Sequence, residues 1–300
     1  GENPHQRASY YRNVSGRPLC VADAKQLQGK ELSFNNIIDL GAAVDIVKNH
    51  KLPAVGIIKH NNPCGAAAAE TIEKAYVDAI ECDRLSAFGC IMGFNRPIDA
   101  SLAGLILKEA DFVECIIAPA YGDGAFEIFK AKKNLRVLEF PFFCTGPGGV
   151  KDVKMIPGGA LVQDKDEKRI SARDLKVVTR NKPSEEMIGS MLFGWDIVRQ
   201  VKSNAIVLCR GTKTVGIGAG QMSRVDAVII AIRKAGGRAE GSVLVSDAFF
   251  PKADSVEKAH EAGIAAIIQP GGSIKDGEVI DACDRFDIPM VFTGTRHFKH

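Results

Sequence analysis

The 300-residue chain has 39 basic and 36 acidic residues, a net charge of +3, with 46% apolar and 25% charged side chains. This is the balance of a globular protein with a sizeable core, and it excludes disordered and fibrous classes. It offers no basic stripe for nucleic acid and no apolar run near the roughly 18 residues of a membrane-spanning helix, so a cytoplasmic protein with neither partner is expected. Gly1-Glu2-Asn3-Pro4-His5-Gln6-Arg7 has no signal-peptide apolar region. Eight cysteines, Cys20, Cys64, Cys82, Cys90, Cys115, Cys144, Cys209 and Cys283, are scattered without a C-x-x-C pair. That pattern reads as reduced, buried thiols, and no zinc-ligand spacing accompanies it.

Taken in order, the chain alternates Val- and Ile-rich strands with helical stretches, the pattern of an α/β fold with parallel or mixed sheets. Ala54-Val55-Gly56-Ile57-Ile58 reads as a buried strand, after which Pro63-Cys64-Gly65 is expected to turn into a helix over Ala66–Ile80. Cys90–Phe94 leads through Asn95-Arg96-Pro97-Ile98-Asp99 to a helix and then the strand Val113–Ala118. Pro141, Gly146-Pro147-Gly148-Gly149 and Pro157-Gly158-Gly159 break all periodicity between Phe140 and Gly159, which places a boundary near Gly149 and divides the chain into lobes 1–149 and 150–300. The order of elements then repeats. Strands at Ala205–Leu208 and Thr214–Ile217 precede a helix near Gln221–Lys234, strand Val243–Val245 leads to Asp247-Ala248-Phe249-Phe250-Pro251, and a helix precedes strand Ala265–Gln269. Ile116-Ile117-Ala118-Pro119 and Ile267-Ile268-Gln269-Pro270 are counterparts in that repeat.

Several stretches have the makings of a site. Lys59-His60 sets a cation beside an imidazole just past a buried strand, where a proton-transfer enzyme would use them; the plain alternative is a solvated strand cap. Gly216-Ile217-Gly218-Ala219-Gly220, running towards a helix, reads as a phosphate cradle, as a dinucleotide turn with Glu240 as its acid, or as a structural tight turn. The spacing departs from G-x-G-x-x-G, which weakens the dinucleotide reading. Arg224 is a cation available to a phosphate or carboxylate. Lys202-Ser203-Asn204 is a strand-entry turn or a means of holding an amide. Asp247 and Asp254 flank Phe249-Phe250, either as a strand end and helix cap or as an aromatic wall for a planar heterocycle. The tail Thr293-Gly294-Thr295-Arg296-His297-Phe298-Lys299-His300 follows an apolar strand, and such an anchored tail can close over a site.

Together these motifs resemble a known family. Gly1-Glu2-Asn3-Pro4-His5-Gln6, Leu32-Ser33-Phe34-Asn35-Asn36, Lys59-His60-x-Asn62-Pro63-Cys64-Gly65, Ser86-Ala87-Phe88-Gly89, Lys202-Ser203-Asn204-Ala205, the glycine run through Arg224, Ser246–Pro251, Gln269-Pro270-Gly271-Gly272-Ser273 and Arg296-His297-Phe298 are similar to the transformylase domain of the bifunctional AICAR formyltransferase/IMP cyclohydrolase enzymes. The resemblance implies two similar cytidine-deaminase-like lobes without the deaminase zinc, and a homodimer whose active sites draw on both subunits. It further implies transfer of a formyl group from the co-substrate 10-formyltetrahydrofolate to the 5-amino group of AICAR, a nucleotide. The family's cyclohydrolase domain precedes the matching region, so ring closure is not expected of this chain; the family's phosphate-contacting Arg-Tyr pair falls before Gly1. By resemblance, His60 takes the amine proton, Lys59 assists protonation of the leaving nitrogen, and Asn204 orients the carboxamide or binds the oxyanion. Gly89, Glu114, Arg224, Phe249 and Arg296 match nucleotide contacts, while Val225, Pro251 and Asp254 match positions near the folate. A monovalent cation, K+, is allowed near Asp247. The competing readings are a nucleotide-binding homologue with little or no transferase activity and a dinucleotide-dependent oxidoreductase.

Overall fold

The computed structural model describes residues 1–11, 21–141 and 151–300. The expected lobe boundary at Gly149, together with Cys20 and Cys144, lies outside the described residues.

The first half contains β1 (Lys25–Gln28), α1 (Phe34–Val47), β2 (Ala54–Lys59), β3 (Asn62–Ala68), α2 (Ile72–Ile80), β4 (Cys90–Phe94), α3 (Ala100–Glu109), β5 (Val113–Ala118), α4 (Asp123–Phe129) and β6 (Arg136–Glu139). A hairpin of β7 (Lys151–Ile156) and β8 (Gly159–Asp164) forms a separate two-stranded sheet closed at Pro157-Gly158, so part of the stretch read as a joint is ordered ladder. The second half contains β9 (Lys176–Val177), α5 (Glu185–Val198), β10 (Ile206–Arg210), β11 (Lys213–Gly218), α6 (Arg224–Ala235), β12 (Val243–Ser246), α7 (Asp254–Glu261), β13 (Ala266–Gln269), α8 (Asp276–Arg285) and β14 (Met290–Phe292). Most helices open on the cap that the sequence supplies. The side chains of Ser33, Thr71, Asp99, Ser184 and Ser223 each accept an N–H of the first turn.

The architecture is α/β. Twelve strands form one mixed sheet in the order β1-β6-β5-β4-β2-β3-β11-β10-β12-β13-β14-β9. Outward from the central antiparallel pair β3 and β11, the two halves carry the same sequence of strands, each with three parallel strands and an antiparallel edge. The expected repeat therefore appears as two mirrored strand orders joined into one sheet. β5 and β13 hold equivalent places, as the Ile-Ile counterparts require. Helices α1 and α5 cover one face through a core that spans both halves, including Leu40, Val44, Met191 and Trp195. The other face is covered by α2, α3 and α4 in the first half and by α6, α7 and α8 in the second.

Residues 66–68 were expected to be helical and are strand β3; α2 begins only at Ile72, capped by Thr71. The helix preference of alanine amounts to a few tenths of a kcal/mol per residue, which ladder bonds to strands on both sides outweigh. Small residues suit this strand for another reason. A Cβ on Gly65 would lie 1.9 Å from the Ala79 carbonyl oxygen, so only glycine lets α2 pack so closely. On the partner strand, Cβ atoms on Gly216 and Gly218 would lie 2.2 and 2.0 Å from the carbonyl oxygens of Ala231 and Ala227 in α6.

The halves also share a junction. Just past β4, Asn95 donates its N–H to Ala54 O and accepts the Ala54 N–H on Oδ1 at 2.7 Å; just past β12, Asp247 does the same with Ala205, at 3.1 Å.

Candidate active site

Strands β2 and β3 pair Lys59 with Asn62, leaving His60 and Asn61 as a two-residue turn with φ of 52° and 60°. Both values lie in the left-handed region such tight hairpins demand. Lys59 is half-buried and donates from Nζ to Gly89 O at 3.0 Å, while His60 is exposed. Gly89 itself has φ of 67°, and a Cβ there would sit 3.0 Å from Lys59 Nζ, so this glycine makes room for the ammonium. Asp39, on the buried side of α1, accepts the Asn61 N–H at 2.7 Å. Burial pushes the Asp39 carboxyl above its usual range, against the opposing pull of the Asn61 bond and of nearby His60 and Lys59. Glu114 pairs with Arg136 at 2.6 Å, and Arg136 in turn donates to Glu31 O.

In the second half, Asn204 stands at the entry to β10 with every side-chain group engaged. Its Nδ2 donates to the carbonyls of Gln221 at 2.8 Å and Met222 at 3.1 Å, and its Oδ1 accepts from Arg224 Nη2 at 2.6 Å. Arg224, expected to face a phosphate, is buried and turned inward: Nη1 pairs with the Asp247 carboxylate and donates to Ala205 O. A buried guanidinium requires a counter-charge, and the fully buried Asp247 supplies it. Around Asp247 stand donors, namely Arg224, Ala205 N–H and the Ser203 hydroxyl at 2.6 Å. This carboxylate is the counter-ion of the buried arginine.

Two cavities open beside these groups. One, of about 320 Å³, is lined by Asn204, Arg224, Val225, Phe249, Pro251 and Asp254 among others. The second, of about 330 Å³, is lined by Phe249, Pro270, Gly271, Gly272, Gly294 and Arg296. Phe249 is the wall they share. Arg296 is exposed and stacks over the Phe298 ring, 4.3 Å from its centroid. The tail that carries both residues is pinned across the strand ends. Thr293, Gly294 and His297 donate their N–H groups to the carbonyls of Gln269, Pro270 and Asp247, and Lys299 and Ser203 exchange bonds through Lys299 O and Ser203 Oγ. His297 is buried against Trp195, with Nδ1 2.5 Å from Asp166.

Register puts all these residues at one end of the sheet. β2 finishes at Lys59 beside the start of β4 and its neighbour β5, while β10 starts, and β12, β13 and β14 finish, at that same end. Two clusters result: Lys59, His60, Gly89 and Glu114 from the first half, and Asn204, Arg224, Val225, Phe249, Pro251, Asp254 and Arg296 from the second. They meet where the Lys202 N–H donates to Asn62 Oδ1 at 2.9 Å. Lys59 and His60 line neither cavity.

A family model described as the AICARFT/IMPCHase bienzyme matches residues 1–234. The chain belongs to that family. It is similar along its whole length to proteins named bifunctional purine biosynthesis protein PurH. The one from Acetivibrio thermocellus is 50% identical over 301 residues, that from Halalkalibacterium halodurans 50% over 300, and that from Rhodopirellula baltica 48% over 304. In each case 100% of this chain is covered, and the chain spans 58% of the relative's length.

In this AICARFT/IMPCHase family member the glycine run is not a dinucleotide turn. Gly216 and Gly218 lie inside β11, which is antiparallel to both its neighbours, and their missing side chains make room for α6. A dinucleotide fingerprint instead needs a parallel strand-turn-helix-strand unit. Asp254 opens α7 and accepts the Ser255 N–H at 2.7 Å, with Ala253 as the cap residue. Sequence reasoning passed over Asp39. Its signal was a carboxylate set among Ile38, Leu40, Ala43 and Val44, on a helix side that is apolar but for Asn36 and Asp39. The described cysteines are buried free thiols, and burial pushes Cys82 up to about 11 and Cys90 to about 12.

Proposed function

We propose that the chain is a formyltransferase of purine biosynthesis, moving the formyl group of 10-formyltetrahydrofolate to the 5-amino group of AICAR and releasing formyl-AICAR and tetrahydrofolate. Family membership supports this, as do the names of its relatives. The observation that carries it is the junction of two turns from opposite halves of the sheet: the Lys59–His60 turn is hydrogen-bonded, through Asn62, to the segment that presents Asn204.

The AICAR amine is a poor nucleophile because its lone pair is delocalised into the ring and carboxamide. Attack on the formyl carbon needs a base for the amine proton, stabilisation of the tetrahedral oxyanion and a proton for the departing folate nitrogen. On this reading exposed His60 is the base, and Lys59, steadied by Gly89 O, returns a proton to the leaving nitrogen. Asn204 reaches the carboxamide or oxyanion by exchanging its bond to Met222 O, a carbonyl on an exposed residue, for one to the ligand. Phe249 packs on the imidazole and Arg296 takes the phosphate. Val225, Pro251 and Asp254 border the folate, while Gly89 and Glu114 remain on the nucleotide side. Arg224 acts indirectly by fixing the Asn204 oxygen. Since Lys59 and His60 line neither cavity, the reading includes a homodimer in which one subunit's turn faces the partner's cavities.

The test is to mix the protein with AICAR and 10-formyltetrahydrofolate and follow tetrahydrofolate release, beside Lys59→Ala and His60→Ala. Each variant should lose on the order of 100-fold or more in turnover. Equal rates in all three would sink the mechanism.

A further inference from the structure

Asn62 belongs to none of the roles above, yet its side chain joins both catalytic turns. Its Nδ2 donates to the carbonyl of His60 at 3.2 Å, and its Oδ1 accepts the N–H of Lys202 at 2.9 Å. The hairpin does not require this amide, since its main chain already pairs with Lys59 in the ladder. The left-handed φ of 52° at His60 belongs to the two-residue turn, so the placement of its ring follows how the turn as a whole is held. Asp39 holds the N–H end of that same His60–Asn61 peptide from the α1 side, and Asn62 ties the turn to the second half. Lys202 is two residues before Asn204, and the intervening Ser203 bonds to Asp247. Movement at Asn62 is thus passed to both the imidazole and the amide.

We propose that Asn62 is a positioning residue for formyl transfer, setting the Lys59–His60 turn in register with the Asn204 turn across the central seam of the sheet. The claim rests on the formyltransferase reading. Proton transfer is sensitive to placement: a displacement of about 1 Å can cost on the order of 100-fold in rate. The nucleotide-side groups Phe249 and Arg296 have no bond to Asn62, so its loss should fall on turnover rather than on nucleotide affinity.

Asn62→Ala removes both bonds, whereas Asn62→Asp keeps an acceptor for Lys202 N–H and gives up the donor to His60 O. In Asn62→Ala, kcat should fall about 10- to 100-fold with KM for AICAR changed less than about threefold. Amide hydrogen exchange at Lys202 should speed up at least about tenfold in Asn62→Ala and stay near the parent rate in Asn62→Asp. The exchange measurement needs no catalysis and is made on folded protein, checked by circular dichroism; Asn62→Asp serves if the alanine variant does not fold, and its kcat should then fall with Lys202 protection kept. A parent chain that transfers no formyl group would remove the functional reading, and Lys202 exchange would then decide the positional claim alone. An Asn62→Ala protein with kcat within twofold of an active parent, or with unchanged Lys202 protection, would overturn the proposal.

Discussion

Arg224 and Asp247 are both buried and carry opposite charges, and each is tolerable there only because of the other. Removing one partner of such a pair leaves an uncompensated buried charge, which typically costs about 3–5 kcal/mol. Arg224→Ala should therefore destabilise the protein by about that amount in urea unfolding, and Arg224→Ala/Asp247→Ala should cost clearly less than the sum of the single changes. Additive losses would show that the two charges are not coupled. This residue also marks a limit of sequence reading. Lys59 and His60 were legible as a pair because their chemistry is local, two adjacent groups at a strand end. The inward turn of Arg224 depends on the end of β12, which only the tertiary fold brings alongside, so a cation after a glycine run was naturally read as a phosphate ligand.

Among the elements, the C-terminal tail makes a contribution to stability that depends on pH. Lys299 is drawn under cover by the exchange with Ser203, and burial pulls its ammonium from 10.5 down to about 8. Below about pH 8 folded and unfolded chains both carry the charge, and the fold bears its desolvation. Between about 8 and 10.5 the folded chain gives up the proton first, so the unfolded chain holds more protons and the Lys299 contribution to stability rises with pH. Replacing it by methionine should stabilise the protein at pH 7 relative to pH 10, when each variant is measured against the parent at the same pH by urea unfolding. A parent-to-variant difference independent of pH would contradict the assignment. Elsewhere strand and helix order was legible because it depends on hydrophobic periodicity, and the strands leading into His60 and Asp247 were found within a residue or two. β3 was missed because Ala66-Ala67-Ala68 has no side chains large enough to show a period. The glycines of β11 were misjudged for a related reason, since close packing against a helix and cradling of an anion ask for the same absence of a Cβ.

For the whole molecule, the central β3–β11 pairing means that neither half has an edge of its own at the seam. Cores on both faces meet it, and the core under α1 and α5 runs through it. The chain should unfold in a single transition, which its one tryptophan makes easy to check. Trp195 lies in α5 of the second half, so its fluorescence follows that half while far-ultraviolet circular dichroism follows both. Coincident midpoints are expected; a dichroism change not matched by Trp195 would mean the first half melts separately. The duplication was visible in the sequence as an order of elements, whereas the fusion into one sheet was not, because the strands that meet are far apart in the chain.

The paired junctions at Asn95 and Asp247 amount to an internal control built by the molecule itself. In the first half a neutral residue, Asn95, makes the two bonds to the Ala54 main chain that the scaffold needs, and the neighbouring Arg96 guanidinium donates to its main-chain carbonyl rather than to its side chain. An acid makes the same two bonds to Ala205 in the second half, so its negative charge is surplus to the architecture. The surplus is spent on Arg224, and through Arg224 on the orientation of one amide oxygen. What distinguishes the two corners at this position is the exchange of an NH2 for an oxygen.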